Sequence, residues 1–297
     1  MSDPASVSEQ PRVSVGILTF NRRDALKKAL ESVLAQDRSN LEVVVVDSAS
    51  TDGTQELVRD EFPSVNYIRL PRNLGCPEGR NHILANCSGE FVVSVDDDGF
   101  LAEDAVRHVV AAFASDPTIG VVALRQVFTD EPGSKTQTGD ETPLTDAGCF
   151  SGGVSAFRRS MLDQTGGYPH DFFLFAEESF LSLRALEAGY RIVSEPRAVM
   201  FHPRAGSSVS TANDYHRFRN PLLVVVRLFP PSQLVVYLPG RLISYFFISI
   251  RRGSFLQYLK AALGVLGSLP WELSRRTPVS RATVRRQLSL RSPEQTG

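Results

Sequence analysis

A chain of 297 residues with 42% apolar side chains is long enough to bury a full core and has an ordinary globular composition. Its net charge of -1 hides a division: residues 219–297 carry 12 basic and two acidic residues, while residues 1–218 stand at -11, so the two parts face different partners. Three cysteines, Cys76, Cys87 and Cys149, form no C-x-x-C spacing, which argues against a disulfide framework or a zinc ribbon and suits a reducing compartment.

Residues 1–11 are polar, with Pro and Ser, and lack the basic and apolar regions of an export signal; a short disordered leader is expected. From residue 13 to 124, short β-branched runs alternate with amphipathic stretches: VSVGIL, RRDALKKALESVLAQ, LEVVVVD, DGTQELVRDEF, VNYIRL, GRNHILANC, FVVSV, AEDAVRHVVAAFA and GVVAL. Near-continuous apolar strands separated by helical segments predict an α/β, doubly wound, mostly parallel sheet covered on both faces. Residues 126–148 are polar and read as a long loop, a length that is more often functional than idle. GGVSAFRR, a helix near 177–188 and two strand-like runs, RIVSEP and AVMFHP, follow. The expected organisation is an α/β unit over 12–210 and a basic helical region over 211–297.

In that last region, LLVVVRLFPPSQLVVYLPGRLISYFFISI is strongly apolar but interrupted by Arg227, Pro230, Pro231, Pro239 and Arg241. The longest unbroken run falls well short of the roughly 20 residues of a spanning helix. Helices lying in a membrane interface, held by apolar insertion and anionic lipid, are expected, with a helical layer or homodimer contact as the alternative. No nucleic-acid recognition motif accompanies the basic residues, and the acidic first part opposes that partner.

Ligands of open α/β sheets bind at the carboxyl ends of strands. Asp47 closes one such strand, and Asp96, Asp97 and Asp98 close another. Glu103 and Asp104 supply the ordinary acids of the next helix start, leaving the triplet unexplained by capping. Carboxylates this close repel one another unless a cation sits among them. Oxygen ligands without nearby cysteine favour Mg²⁺ or Mn²⁺. ILTFNRR follows the first strand where a dinucleotide enzyme would have G-x-G-x-x-G, and no G-x-x-x-x-G-K-[ST] is present. A nucleotide would be held by side chains and a metal.

The ordered blocks VSVGILTFNRRDALKKALESVLAQ, EVVVVDSASTDGT, RNLGCPEGRN, GEFVVSVDDDG and FAEESFLSLRALEAGYRI resemble glycosyltransferase family 2 over about residues 12–205. HRFRNPLLVVVRLFPP is similar to the region after the catalytic domain in rhamnosyltransferase-like members. The resemblance implies a GT-A fold and inverting transfer of a sugar from a nucleoside diphosphate. It implies that Phe20 and Asp47 stand by the uracil or thymine base and that Asn73 and Arg80 lie near the nucleotide and diphosphate. Asp96 and Asp98 would form the D-x-D, with Asp98 the main metal ligand and Asp96 or Asp97 near the ribose. His202 falls where members place a histidine at the metal or diphosphate, and Gly152 and Gly153 match the loop near the acceptor. Glu177 and Glu178 occupy the position of a Glu-Asp pair whose second acid is the base, so Glu178 is the expected base, with Glu in place of Asp. Ser48 stands where Asn or Asp is usual.

The chemistry makes parallel demands: positive charge for the departing diphosphate and a base for the acceptor hydroxyl. The reading is single-sugar transfer from a UDP- or dTDP-sugar to a lipid-linked or polysaccharide acceptor, by a cytoplasmic protein peripheral on the inner face of the plasma membrane. The Q-x-x-R-W block of processive synthases is lacking; the one tryptophan is Trp271. The rival readings are a catalytically silent nucleotide-sugar or membrane-binding module, and a nucleotidyltransferase, which should show a glycine-rich basic loop after the first strand.

Overall fold

The computed structural model describes residues 10–37, 40–129, 142–203 and 211–290. Most of the expected leader and positions 130–141 of the expected loop lie outside the described residues, as do 204–210, where the two expected units join.

The first half of the chain forms β1 (Val13–Thr19), α1 (Arg23–Leu34), β2 (Leu41–Asp47), α2 (Thr54–Glu61), β3 (Asn66–Arg69), α3 (Cys76–Asn86), β4 (Phe91–Asp96), β5 (Phe100–Leu101), α4 (Ala105–Ser115) and β6 (Ile119–Phe128). Then come β7 (Thr145–Asp146), β8 (Val154–Arg158), α5 (Arg159–Thr165), α6 (Glu177–Glu187) and β9 (Arg191–His202). Among the described residues, α7 (Asp214–Leu228), α8 (Pro231–Arg252), α9 (Phe255–Ser274) and α10 (Arg281–Ser289) complete the chain.

One sheet runs β3-β2-β1-β4-β8-β6-β9-β5, with β7 on β9. Val43 to Val46 of β2 are all buried because helices cover both faces, which is why this strand is valine on consecutive positions rather than alternating. One face packs Leu26, Leu30 and Val33 of α1, Leu57 and Val58 of α2, and Val109 and Phe113 of α4. The other takes Ile83 of α3 together with Met161 of α5 and Leu181 of α6.

The sheet is parallel from β3 to β4, as the β–α alternation requires, and becomes mixed beyond it. β8 inserts antiparallel between β4 and β6, and β5 turns back antiparallel onto β9. The two runs expected as separate strands are the single β9, which carries Pro196; its register against β6 shifts between Leu124 and Arg125, where Glu195 gives way to Val199, so the proline needs no ladder partner. The expected loop from 126 is shortened by β6, which continues to Phe128.

Helices α7 to α10 share a core around Phe218, Leu222, Val226, Val265 and Val284, into which Phe172 and Leu183 of the sheet-bearing part also pack. Of the apolar segment interrupted in sequence at Pro230, Pro231 and Pro239, the part from Pro231 on is the continuous 22-residue α8, which runs through Pro239. A proline removes one N–H and bends a helix, but the remaining ladder bonds persist. As a result, among the described residues, one helix, α8, is long and apolar enough by length and composition to cross a membrane, and little of its apolar stretch is buried.

Candidate active site

Register places the chemistry. Thr19 of β1 lies beside Asp47 of β2, and Leu18 lies beside Asp96 of β4, so three strand ends reach one edge of the sheet. The chain order reverses at β1, with β2 on one side and β4 on the other, and a crevice opens at such a point. A cavity of about 510 Å³ occupies it. Phe20, Arg22, Ser48, Asn73, Arg80, Asp96, Asp97, Asp98 and His202 are among its walls, with Phe173, Leu174 and Asn213.

The antiparallel strands carry the remaining groups in. β5 pairs Phe100 with Phe201, which folds the Asp98 turn against the end of β9. His202 Nε2 then lies 3.0 Å from Asp98 Oδ1 and 3.7 Å from Asp96 Oδ2. β8 starts next to the end of β4, where Gly153 O accepts from Asp96 N at 3.0 Å. A β-carbon on Gly152 would meet Arg80 Nη1 at 2.1 Å, so the glycine pair, expected at an acceptor loop, packs directly on the charged centre.

One ligand atom from each of Asp96, Asp98 and His202 falls within 4.8 Å of the others. Two carboxylates and an imidazole are a donor set that fits a divalent Mg²⁺ or Mn²⁺ ion. Asp97 points elsewhere: it accepts from Thr19 Oγ1 at 2.8 Å and lies 3.5 Å from Arg22 Nη1. Arg22 also pairs with Asp98. Its position is absent from the expected set, although it stands in TFNRR; no local pattern distinguishes it from a surface arginine.

Electrostatics follow from these contacts. Burial pushes the Asp97 carboxyl up to about 6, against the Thr19 bond and the Arg22 charge. For Asp96, burial also opposes ionisation, but the His202 bond and the charges of Arg80 and His202 outweigh it and hold its pKa below the ordinary value. Bonds to Asp96 and Asp98 raise the His202 imidazole to about 10, so a cation between the two carboxylates is strongly favoured.

Arg80 spans the centre. Nη2 lies 3.4 Å from Asp96 Oδ1, and Nη1 lies 3.4 Å from Glu177 Oε1 and 3.6 Å from Glu178 Oε1. Burial disfavours its charge, yet the neighbouring Tyr168, then Asp96, Cys76 and Glu178, leave its pKa raised. The two glutamates differ sharply. Glu177 is 2% exposed and its Oε2 has no hydrogen-bond partner among the described residues; burial, then the Glu178 charge, raise its pKa. The Glu178 side chain is 24% exposed and accepts from Gly152 N at 3.3 Å. Phe175 and Ala176, immediately before them, both adopt left-handed backbone, at φ 71° and 68°. Such strain persists only where surrounding structure imposes it; Asn220 Nδ2 does so here, donating to Leu174 O at 2.8 Å and Phe175 O at 3.3 Å.

Asp47 is fully buried and does not line the cavity. Oδ1 accepts from Ser50 N at 2.8 Å and Oδ2 from Arg69 Nη1 at 3.1 Å, with Tyr67 Oη at 2.5 Å. Asn73 Oδ1 likewise accepts from Gly75 N at 2.9 Å, shaping the start of α3. Phe20 is 44% exposed at the rim.

A mixed sheet with an acidic, histidine-bearing crevice at the β1–β4 switch defines the GT-A class of α/β fold. Residues 14–173 match the profile of glycosyl transferase family 2, and the chain belongs to that family. The chain is 33% identical over 109 residues to the succinoglycan biosynthesis protein ExoO of Rhizobium meliloti, covering 36% of this chain and 31% of the relative. It is 36% identical over 104 residues to the GalNAc(5)-diNAcBac-PP-undecaprenol beta-1,3-glucosyltransferase of Campylobacter jejuni, covering 34% of each. The chain thus spans about a third of the length of these two relatives. Among solved structures, a mannosyltransferase of Pyrobaculum calidifontis in complex with GDP-Man and Mn²⁺ superposes with a TM-score of 0.58 at 24% identity, over 95% of this chain and 87% of the other. TarS 1-349 of S. aureus in complex with UDP-GlcNAc gives 0.62 at 20% identity, over 88% and 81%.

Proposed function

We propose that the protein is an inverting, metal-dependent hexosyl- or rhamnosyltransferase that moves a single sugar from a UDP- or dTDP-sugar to a lipid-linked or polysaccharide acceptor in cell-envelope or exopolysaccharide synthesis. Residues 12–210 form its catalytic unit and 211–297 an appended helical unit, and it works in the cytoplasm at the inner face of the plasma membrane. The observation that carries this reading is the convergence of Asp96, Asp98 and His202 on one point of the cavity, with Arg80 bridging from Asp96 to Glu177 and Glu178. Relatives named for succinoglycan biosynthesis and for glucosyl transfer, and fold neighbours solved with nucleotide sugars and, in one case, Mn²⁺, support it.

Asp96, Asp98 and His202 would hold a divalent ion, whose charge would stabilise the departing diphosphate. Arg22 and Arg80 add positive charge around the same crevice. Phe20 offers an exposed ring to the base, while Asp47 shapes the base subsite by fixing the Ser48–Ser50 turn from below. The acceptor oxygen attacks the anomeric carbon as the bond to the diphosphate breaks, and its proton passes to a base on the opposite face. Glu178 is that base, because it is the more accessible acid; the enclosed Glu177 positions Arg80.

The test is a thermal-shift panel with UDP, dTDP and GDP, each with and without Mn²⁺, followed by a product assay with the stabilising donor. One diphosphate stabilises the wild type only with Mn²⁺, and Asp98→Ala abolishes the effect. Glu178→Ala keeps nucleotide binding and loses roughly 10²–10⁴-fold in turnover. Folded protein that no diphosphate stabilises would point instead to a silent recruitment module.

A further inference from the structure

Helices α8 and α9 form a hairpin whose outer side is apolar. On α8 only Leu238, Tyr245 and Ser249 are buried, a narrow seam held by the Phe218–Tyr245 ring contact at 5.5 Å and by Tyr258 Oη donating to Leu242 O at 3.0 Å. On the opposite side Val236, Ile243, Phe247 and Ile250 recur at helical spacing, each more than half exposed. On α9, Leu256, Leu259, Leu263 and Leu266 repeat at intervals of three and four residues, each more than a third exposed. Gly253, at φ 66°, closes the turn, and Phe246 meets Phe255 at 5.9 Å between ring centroids, so the two stripes join. A surface helix ordinarily presents polar residues on this side, and a joined apolar patch marks an interaction surface.

Charge identifies the partner. Between residues 219 and 290 the sequence holds one acidic residue, Glu272, and it is buried against Arg227. Arg241, Arg251, Lys260 and Arg275 of the hairpin are exposed. The Arg275 guanidinium lies 4.5 Å from the centroid of the exposed Trp271 ring, a pairing of the kind found where headgroups meet acyl chains.

We propose that this face docks on an anionic lipid leaflet, with the hairpin in the plane of the interface, its leucine and phenylalanine side chains among acyl chains and its basic residues among headgroups. Residues 1–218, at -11, are repelled by the same lipids, which turns the hairpin and not the sheet toward the surface. A twofold contact with a second copy would bring two basic faces together without a carboxylate between them. Spanning would require α8 to abandon its seam on Phe218 and Tyr258 and to bury Arg241 in hydrocarbon. The surface is independent of the transfer chemistry.

Vesicle flotation of the full chain tests it, with phosphatidylcholine alone and with roughly 30% phosphatidylglycerol added. Binding to the anionic vesicles exceeds that to neutral ones by at least about tenfold and is released by high salt. The double variant Phe247→Glu/Leu256→Glu loses the binding while its circular dichroism and melting temperature match the wild type. The proposal is overturned if the wild type ignores both vesicles, if a folded variant binds as well as the wild type, or if bound protein resists salt and alkaline carbonate as a spanning helix does. It is equally overturned if the wild type is a dimer that the variant converts to monomer, since a second copy would then cover the face.

Discussion

A β-carbon placed on Gly153 would stand 1.6 Å from Oδ1 of Asp96. The start of β8 therefore leaves just enough room for the carboxylate that faces His202, and the side chain of residue 153 is part of the design of the charged centre. Gly153→Ala is expected to displace the Asp96 carboxylate while the backbone stays in the turn that Val154 N closes by donating to Ser151 O at 3.1 Å. Isothermal titration with Mn²⁺ and UDP would show affinity reduced by about tenfold or more, with circular dichroism unchanged.

Arg80 compensates three carboxylates, one of which, Glu177, is enclosed with it. Removing one partner of a buried ion pair leaves an uncompensated charge, so Arg80→Met is expected to destabilise the fold by roughly 3–5 kcal/mol, measured by urea unfolding. At a pH where Glu177 is ionised, adding Glu177→Gln to that variant should recover part of the loss, because the second substitution removes a carboxylate that Arg80 no longer compensates.

Glu177 gives the stability a definite pH dependence. Its pKa in the folded protein is raised, by burial first and by Glu178 second. The folded state therefore holds a proton that the unfolded chain releases near pH 4.3 or so, and stability falls as pH rises from there toward the raised native value. Glu177→Gln removes that slope. Melting temperatures taken across this range should fall in the wild type relative to the variant, with the gap widening toward neutral pH. Parallel curves would show that Glu177 is already ionised in the fold.

Arg227 ties α7 to two other elements. It meets Glu272 of α9 at 2.7 Å and Asp171, just before the strained Phe175–Ala176 pair, also at 2.7 Å. Arg227→Met leaves Glu272 buried and unpaired and should cost about 3–5 kcal/mol. Hydrogen exchange should also accelerate in the 171–176 segment, because one of its anchors to α7 is gone. Exchange confined to α9 would mean that Arg219, which also meets Asp171 at 3.3 Å, and Asn220 hold the segment without it.

Most of the architecture was legible in the residues. The nine strand and helix segments expected from 13 to 124 all form, because apolar periodicity is a local property that burial on both faces of a sheet directly imposes. The Asp96–Asp98 cluster was equally legible, since adjacent carboxylates at a strand end demand a cation wherever the rest of the chain lies. The antiparallel insertion of β8 and the continuity of α8 through Pro239 were not, as both depend on what neighbouring elements supply.

Tertiary structure alone decided the rest. His202 and Arg22 reach the aspartates only because β5 pairs with β9 and because β1 ends beside β4, contacts between segments far apart in the chain. Glu177 and Glu178 are chemically identical neighbours, and packing encloses the first while leaving the second open to the site. Sequence determined which groups could carry charge at this crevice; desolvation and the orientation of each helix, set only when the elements pack, decided which of them do so and which face of α8 and α9 is left for a partner.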